Sequence, residues 1–225
     1  MDLPLYQRCL VESFGTFCLV AFGCGAMVVN ENVIGVPPGT LTHPGVAAAW
    51  GVIVAVLIYA IGDISGAHMN PAVSWAFVAA KRFPAGDAAG YTIAQIAGAT
   101  AAGFALGGVL GWETKLGATQ TVLPVESAWG VEWFLSLLLM FVILGVSTGA
   151  KEKSITAGLA VGATIGLEAL VAGPLTNASM NPARSICPAI AAQHFDLLWL
   201  YISAPLVGTI VGAVMYRCLG LREEK

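Results

Sequence analysis

The stretch Ser65-Gly66-Ala67-His68-Met69-Asn70-Pro71-Ala72 returns later in the chain as Thr176-Asn177-Ala178-Ser179-Met180-Asn181-Pro182-Ala183. Asn is a favoured N-cap and Pro suits the first helical position, so each copy marks a helix start. The surrounding segments, 76–81 approached from residue 62 and 180–193 approached from residue 173, are too apolar for free loops and too short to cross a bilayer. The pattern predicts two re-entrant half-helices.

The composition indicates that most of the chain faces lipid. Its 225 residues are 57% hydrophobic and 10% charged, whereas a soluble domain is about 25% charged. The 27 glycines allow membrane helices to approach closely. The net charge of −3 without a long basic cluster excludes a nucleic-acid partner, and the five cysteines lack the spacing of a metal site or disulfide framework.

Six apolar windows are long enough to cross a membrane, near residues 7–29, 45–64, 88–110, 129–149, 156–173 and 197–219. We expect one transmembrane domain over 1–225, in a plasma or inner membrane, with the first window retained as a span and not cleaved as a leader. Placing both termini in the cytoplasm puts eight of the ten Lys and Arg residues inside. They are Arg8, Lys81, Arg82, Lys151, Lys153, Arg217, Arg222 and Lys225.

The spans form two copies of a three-span unit, repeat 1 over about 7–110 and repeat 2 over about 129–219. Val11-Glu12-Ser13-Phe14 matches Val131-Glu132-Trp133-Phe134, and Tyr91, Ala94 and Gly98 match residues 110 positions later. An odd number of spans inverts the second copy, which gives a pseudo-two-fold axis in the membrane plane and a shared site near the midplane. The two half-helices are therefore expected to meet from opposite sides.

The paired Asn-Pro-Ala motifs, the Ser-Gly-Ala-His lead-in and Arg184 resemble the aquaporin (major intrinsic protein) superfamily over essentially the whole chain. The resemblance implies an all-α membrane fold of six transmembrane helices plus two re-entrant half-helices, with an inverted three-span repeat. It also implies a homotetramer with one pore per subunit. No cofactor is implied.

Asn70 and Asn181 are predicted to form the pore constriction. Capping alone explains an Asn at a helix start, but a capped start at midplane depth must line a cavity or pack in protein. Once the amide oxygen caps the helix, we expect both N–H groups of each amide to point into that cavity. The positive ends of the two helix dipoles would repel cations there, protons included.

The resemblance assigns an outer selectivity filter to four residues, called the filter residues below: Trp50, Ala169, Ala178 and Arg184. A structural Arg184 tied to the backbone, and a Trp50 that anchors the membrane interface, are the alternatives. Two alanines leave room beside Trp50, which resembles glycerol facilitators and nodulin-like intrinsic proteins, whereas Ser185 and Ala189 resemble water channels. We expect passage of water and small neutral solutes (glycerol, with urea and metalloid hydroxides as further candidates); a strictly water-selective pore is the alternative.

Four acids and one histidine are further candidate site residues. Glu12 and Glu132 are predicted structural acids that accept hydrogen bonds from the backbone leading into the two Asn residues. Glu168 either modifies the outer filter or is a buried acid bonded to neighbouring loops. Asp63 either makes the cytoplasmic vestibule acidic or pairs with Lys81 or Arg82. We expect His68 to orient a lumen carbonyl rather than to act as a gate.

An enzyme and an ion-coupled transporter are the alternative function classes to a channel. An enzyme would need a nucleophile with a base or a metal cluster, and three histidines on separate segments provide neither. Ion-coupled secondary transporters also contain inverted repeats and broken helices, but they place ion ligands or a titrating acid at the midplane. The midplane residues here are two neutral amides, which favours a passive channel that excludes ions and protons.

Overall fold

The computed structural model describes residues 3–31, 33, 35–147, 151–193 and 195–220, with the side chains of 151–155 left out. Within these ranges the chain forms eight helices. They are α1 (Leu5–Glu31), α2 (Thr42–Ser65), α3 (Pro71–Ala79), α4 (Ala85–Leu110), α5 (Val125–Ser147), α6 (Lys151–Thr176), α7 (Pro182–Ala191) and α8 (Leu198–Cys218). Of the basic residues used to orient the chain, Arg222 and Lys225 and the side chains of Lys151 and Lys153 lie outside this description.

Six of the helices are long and apolar enough to cross a membrane, which confirms the six predicted spans. They are α1, α2, α4, α5, α8 and the part of α6 from Thr156 to Thr176. The two remaining helices, α3 and α7, have 9 and 10 residues and are too short to span. Both begin where the paired motifs predict a helix start, α3 at Pro71 after Asn70 and α7 at Pro182 after Asn181. The expected segment 76–81 therefore covers only the end of α3.

Equivalent residues of the two halves make equivalent helix contacts. In repeat 1, α1 packs on α4 where Gly98 lies against the carbonyl oxygen of Ser13. In repeat 2, α5 packs on α8 where Gly208 lies against the carbonyl oxygen of Trp133. A side chain at either glycine would collide with the neighbouring backbone, so both positions serve close approach.

The two halves meet where α2 crosses α6. Gly51 and Gly162 differ by 111 positions, the same offset that separates Asn70 from Asn181. A Cβ atom on Gly51 would lie 2.6 Å from the carbonyl oxygen of Gly162, and a Cβ atom on Gly162 would lie 2.5 Å from that of Gly51. This reciprocal contact is what a two-fold axis between the repeats requires, and it sets how closely the halves approach.

Replacing Gly51 by Ala should therefore destabilise the protein. The added methyl group meets backbone atoms that cannot rotate away, and such overpacking costs about 1–3 kcal/mol. Gly62→Ala on the same helix is the control, because its Cβ atom would reach only the Cγ2 of Ile58 at 3.9 Å. Thermal unfolding in detergent should place Gly51→Ala below wild type and Gly62→Ala near it; equal stability of the two variants would contradict the close crossing.

Candidate functional site

Each half-helix begins at an asparagine that caps it. The Oδ1 atom of Asn70 accepts a hydrogen bond from the Ala72 N–H at 2.9 Å. The Oδ1 atom of Asn181 accepts from the N–H groups of Ala183 and Arg184 at 3.0 and 3.4 Å. The capping role expected from the sequence is present at both positions, and it orients the two amides alike.

The two amides also tie the halves of the molecule together. Nδ2 of Asn70 donates to the carbonyl oxygen of Met180 at 2.8 Å, and Nδ2 of Asn181 donates to that of Met69 at 2.8 Å. The prediction that both N–H groups of each amide are free is wrong. One N–H of each is used in this crossed pair, because the residue before the opposite Asn turns its carbonyl toward the midplane, and one N–H of each is left.

Glu12 holds the non-helical segment that leads into Asn70, residues 66–69, called the first half-loop. Its carboxylate lies on α1 with no exposed surface. Its two oxygens accept from Ser65 Oγ (2.7 Å), His68 N (2.9 Å), Met69 N (2.6 Å) and Gln95 Nε2 (2.8 Å). These are the backbone hydrogen bonds predicted from the sequence, with two side-chain donors added.

Glu132 holds the corresponding segment before Asn181, residues 177–180, called the second half-loop. The carboxylate is equally buried on α5. It accepts from Thr176 Oγ1 at 2.7 Å, from Ser179 N at 2.9 and 3.1 Å and from Met180 N at 2.9 Å. Both acids thus occupy equivalent places in the two repeats and make the predicted contacts.

The half-loops adopt backbone conformations that residues with a side chain rarely take. Ala67 and Met69 have φ values of 48° and 47°, and Ala178 and Met180 have 43° and 54°. Left-handed residues of this kind persist only where the surroundings over-determine them, and they occur preferentially at functional sites. The carboxylate contacts of Glu12 and Glu132 supply that restraint.

One central cavity of about 160 Å³ runs between the helices and contains both motifs. Asn70, Asn181, His68 and all four filter residues line it. Residues of both half-loops also line the cavity. The rest of the wall consists of apolar side chains: Leu19, Val54, Ile58, Val73, Phe77, Leu139, Ile143, Val146, Ala157, Val161 and Ile165. The wall is therefore mainly apolar, with polar groups at the two Asn residues, at Arg184 and at His68.

Arg184 is 1% exposed and is held from two sides. Its Nη1 donates to the carbonyl oxygen of Gly117 at 2.7 Å, and its Nη2 contacts Met27 Sδ at 3.1 Å. The guanidinium carbon lies 5.0 Å from the centre of the Trp50 ring, within cation–π range. Arg184 is therefore bonded to the backbone, as the alternative of a structural arginine predicts, and it also lines the cavity.

Trp50 is 8% exposed and faces the cavity, so the alternative that it anchors the membrane interface is wrong. Three residues around it and Arg184 were missed in the sequence: Gly23, Met27 and Gly117. A Cβ atom on Gly23 would overlap the Trp50 ring, so the ring occupies the space that this glycine leaves. In the sequence, nothing distinguishes Gly23 from the other helical glycines, because its contact with Trp50 appears only in the folded protein.

His68 acts on a carbonyl group through an intermediate hydroxyl. Its Nδ1 pairs with Ser74 Oγ at 3.0 Å, and Ser74 Oγ donates to the carbonyl oxygen of Asn70 at 3.2 Å. The imidazole also stacks on Phe77 with ring centres 4.8 Å apart. The direct contact with a lumen carbonyl that the sequence suggested is replaced by this relay.

The other two acids do not line the cavity. Asp63 is exposed near the end of α2, and among the described residues no ion pair joins it to Lys81 or Arg82, so the suggested pairing is wrong. Glu168 is 3% exposed, and neither of its carboxylate oxygens has a hydrogen-bond partner among the described residues. The alternative of a buried acid bonded to neighbouring loops is therefore also wrong.

The cavity offers binding without the means for bond-making chemistry. Its polar groups are two amides, backbone atoms, one arginine, one histidine and serine hydroxyls. In the part of the chain that the structure describes, no three His, Cys, Asp or Glu side chains come together as a metal site. The arrangement can donate hydrogen bonds to a neutral molecule and disfavours a cation.

Both the sequence and the fold of this chain are similar to those of known proteins. The family description "Major intrinsic protein" matches residues 1–216. "Aquaporin NIP1-1" of Zea mays is 42% identical over 221 residues, 97% of this chain and 77% of that protein. "Nodulin-26" of Glycine max is 38% identical over 225 residues, 100% of this chain and 82% of that protein. The X-ray structure of the aquaglyceroporin from Plasmodium falciparum has a TM-score of 0.79 at 23% identity, and covers 97% of this chain and 100% of that one.

The network around Glu12 predicts the effect of a near-isosteric change. In Glu12→Gln the amide group would face the same donors with one oxygen in place of two. Buried N–H groups then lose their acceptor, which costs about 1–3 kcal/mol of stability for each group. Thermal unfolding should show a clear loss of stability. Glu31→Gln, at the exposed end of the same helix, should behave as wild type; matching stability of the Glu12 and Glu31 variants would contradict the role of the buried carboxylate.

Proposed function

Because the chain belongs to the major intrinsic protein family, we propose that its central cavity is a passive transmembrane pore for water and small neutral solutes, glycerol among them. One observation carries the proposal: Asn70, Asn181 and Arg184 line a single cavity at which the two half-helices begin. Members of this family are channels and not enzymes. The protein is a multi-pass membrane protein with six spans.

The midplane constriction would select by hydrogen bonding. Each Asn keeps one amide N–H beyond the crossed pair, so a passing oxygen finds two donors side by side. Both α3 and α7 direct a helix N-terminus here, each equivalent to roughly half a positive charge. A neutral oxygen acceptor is favoured at this point, and a cation, including a proton carried along water, is opposed.

The outer constriction would admit molecules larger than water. A guanidinium has five N–H donors, and the contacts with Gly117 and Met27 use two nitrogens, so Arg184 retains donors for a solute hydroxyl. The Trp50 ring beside the guanidinium offers an apolar surface, and the alanines at 169 and 178 leave space next to this pair. Hydroxyl groups along one edge and a carbon chain along the other describe a linear polyol.

We further propose a single channel domain over 1–225 with repeats over about 7–110 and 129–219, in a plasma or inner membrane. The basic residues at helix ends support termini on the cytoplasmic side. A homotetramer with one pore per subunit is in keeping with the apolar outer faces of the helices, where Phe14, Phe22, Val56 and Phe134 are more than half exposed.

Purified protein in liposomes tests the proposal. Stopped-flow measurements should show water and glycerol permeability that rises with protein content and does not depend on an ion gradient. Liposomes that contain a pH dye should stay tight to protons under a membrane potential. A gradient requirement, or proton flux that increases with protein, would contradict a passive, cation-excluding pore, and empty vesicles supply the baseline.

Asn181→Asp should reduce transport although the change is nearly isosteric. A carboxylate can still cap α7, but it loses the N–H that reaches Met69 and places a charge near the bilayer centre, where a charge costs about 2.5–3.5 kcal/mol. Water permeability per inserted protein should fall by about tenfold or more. Asn177→Asp is the control, because the Oδ1 that accepts from Gln120 N is kept; equal transport by both variants would mean that Asn181 serves only as a cap.

Ala169→His should narrow the outer constriction. An imidazole opposite Trp50 fills space that the alanine leaves, so a polyol is obstructed more than water. The ratio of glycerol to water permeability should fall by about tenfold in the stopped-flow assay, a change of about 1.4 kcal/mol in relative barrier height. Ala163→His, at a position of α6 that does not line the cavity, is the control. A wild-type protein that passes water without glycerol, urea or metalloid hydroxides would instead indicate a water-selective pore.

A further inference from the structure

The two repeats differ in how their buried acids are satisfied. In repeat 1, Gln95 on α4 donates to Glu12 at 2.8 Å. Tyr91 and Tyr201 are equivalent at an offset of 110, and the same offset places Pro205 where repeat 1 has Gln95. Proline has no side-chain donor, so Glu132 lacks the fourth group that bonds Glu12.

An acid occupies the equivalent of an apolar position close to the same network. The offset of 111 that relates Gly51 to Gly162 also relates Leu57 to Glu168. Leu57 is a core residue of repeat 1, whereas Glu168 is a carboxyl group that is 3% exposed and has no hydrogen bond on either oxygen. The helix that carries Glu168, α6, packs against α5, which carries the Glu132 carboxylate.

In the described part of the chain, two further titratable groups act on Glu132. Arg184 of α7 and Tyr201 of α8 both interact with it electrostatically. The Tyr201 hydroxyl has no partner among the described residues, whereas its counterpart Tyr91 donates to the Ser65 carbonyl oxygen at 2.7 Å. The second network is thus short of hydrogen bonds at the place where Glu168 adds a carboxyl group.

Two charged carboxylates that are both buried on packed helices of a membrane protein are unfavourable, so one of the pair is expected to carry a proton. Glu132 accepts hydrogen bonds from Thr176, Ser179 and Met180, which stabilise its charge. Glu168 accepts none, so the proton belongs on Glu168. A protonated carboxyl group has an O–H and can act as a donor.

We propose that Glu168 is a positioning residue: as a neutral acid it donates a hydrogen bond to the Glu132 carboxylate, after a side-chain rotation or through one bridging water. It thereby supplies from α6 the contact that Gln95 supplies from α4 in repeat 1. Glu168 adjoins Ala169, and Glu132 holds the second half-loop that contains Ala178. The Glu168–Glu132 hydrogen bond thus connects the segments that carry Ala169 and Ala178, and it sets the width of the outer constriction.

Infrared spectroscopy of the protein in lipid tests the protonation state directly. Wild type should show the carbonyl stretch of a buried carboxylic acid, and this band should disappear in Glu168→Gln. Glu126→Gln, at an exposed position of α5, should leave the band unchanged. A spectrum without such a band, or one in which the band survives Glu168→Gln, would overturn the proposal.

Permeability measurements distinguish a positioning role of Glu168 from simple burial of its side chain. Glu168→Gln keeps a neutral donor and should retain stability and the wild-type ratio of glycerol to water permeability. Glu168→Leu, which copies Leu57, removes the donor and should change that ratio by about fivefold, the weight of one buried hydrogen bond. A wild-type ratio in the Leu variant would refute the role; if that variant does not fold, the Gln variant and the infrared band still decide.

The transport readout rests on the proposed function, but the infrared readout does not. A wild-type protein that conducts nothing would remove the pore proposal, and the carboxylic acid band would still report whether Glu168 carries the proton. Failure of the two proposals can therefore be told apart.

Discussion

Backbone N–H groups that leave a helix inside a bilayer must find acceptors in the protein, because lipid provides none. Two buried carboxylates meet this requirement here. Glu12 and Glu132 each receive the N–H groups of a half-loop and hold left-handed residues that would otherwise be strained. With the half-loops held in this way, α3 and α7 can begin in the interior and direct their N-termini toward each other.

The crossed amides convert two separate half-helices into one constriction. Asn70 and Asn181 each cap their own helix and donate to the backbone of the opposite half-loop. A single side chain therefore sets the helix start, the distance between the repeats and the direction of the remaining N–H. Selectivity at the midplane follows from the same contacts that stabilise the fold, and substitutions there are expected to affect both.

The sequence was most informative where a motif repeats and where the solvent imposes strict rules. The six spans, the half-helices and the contacts of Glu12 and Glu132 follow from hydrophobic length, paired motifs and the cost of a buried charge. The crossed Asn contacts and the place of Gly23 beside Trp50 did not follow, since no motif in the sequence and no cost of a buried charge identifies their partners. The burial of Glu168 without a hydrogen-bond partner also depends on helix packing, which hydrophobic periodicity does not reveal.

Solid-state NMR of the protein in lipid bilayers tests the central claim most directly, by measuring dipolar contacts between the Asn70 and Asn181 side-chain nitrogens and the carbonyl carbons of Met180 and Met69. The N···O distances of 2.8 Å for both pairs predict strong through-space transfer between Asn70 and Met180 and between Asn181 and Met69. Absence of both contacts, in protein that is folded and inserted, would contradict the meeting of the two half-helices at a shared constriction.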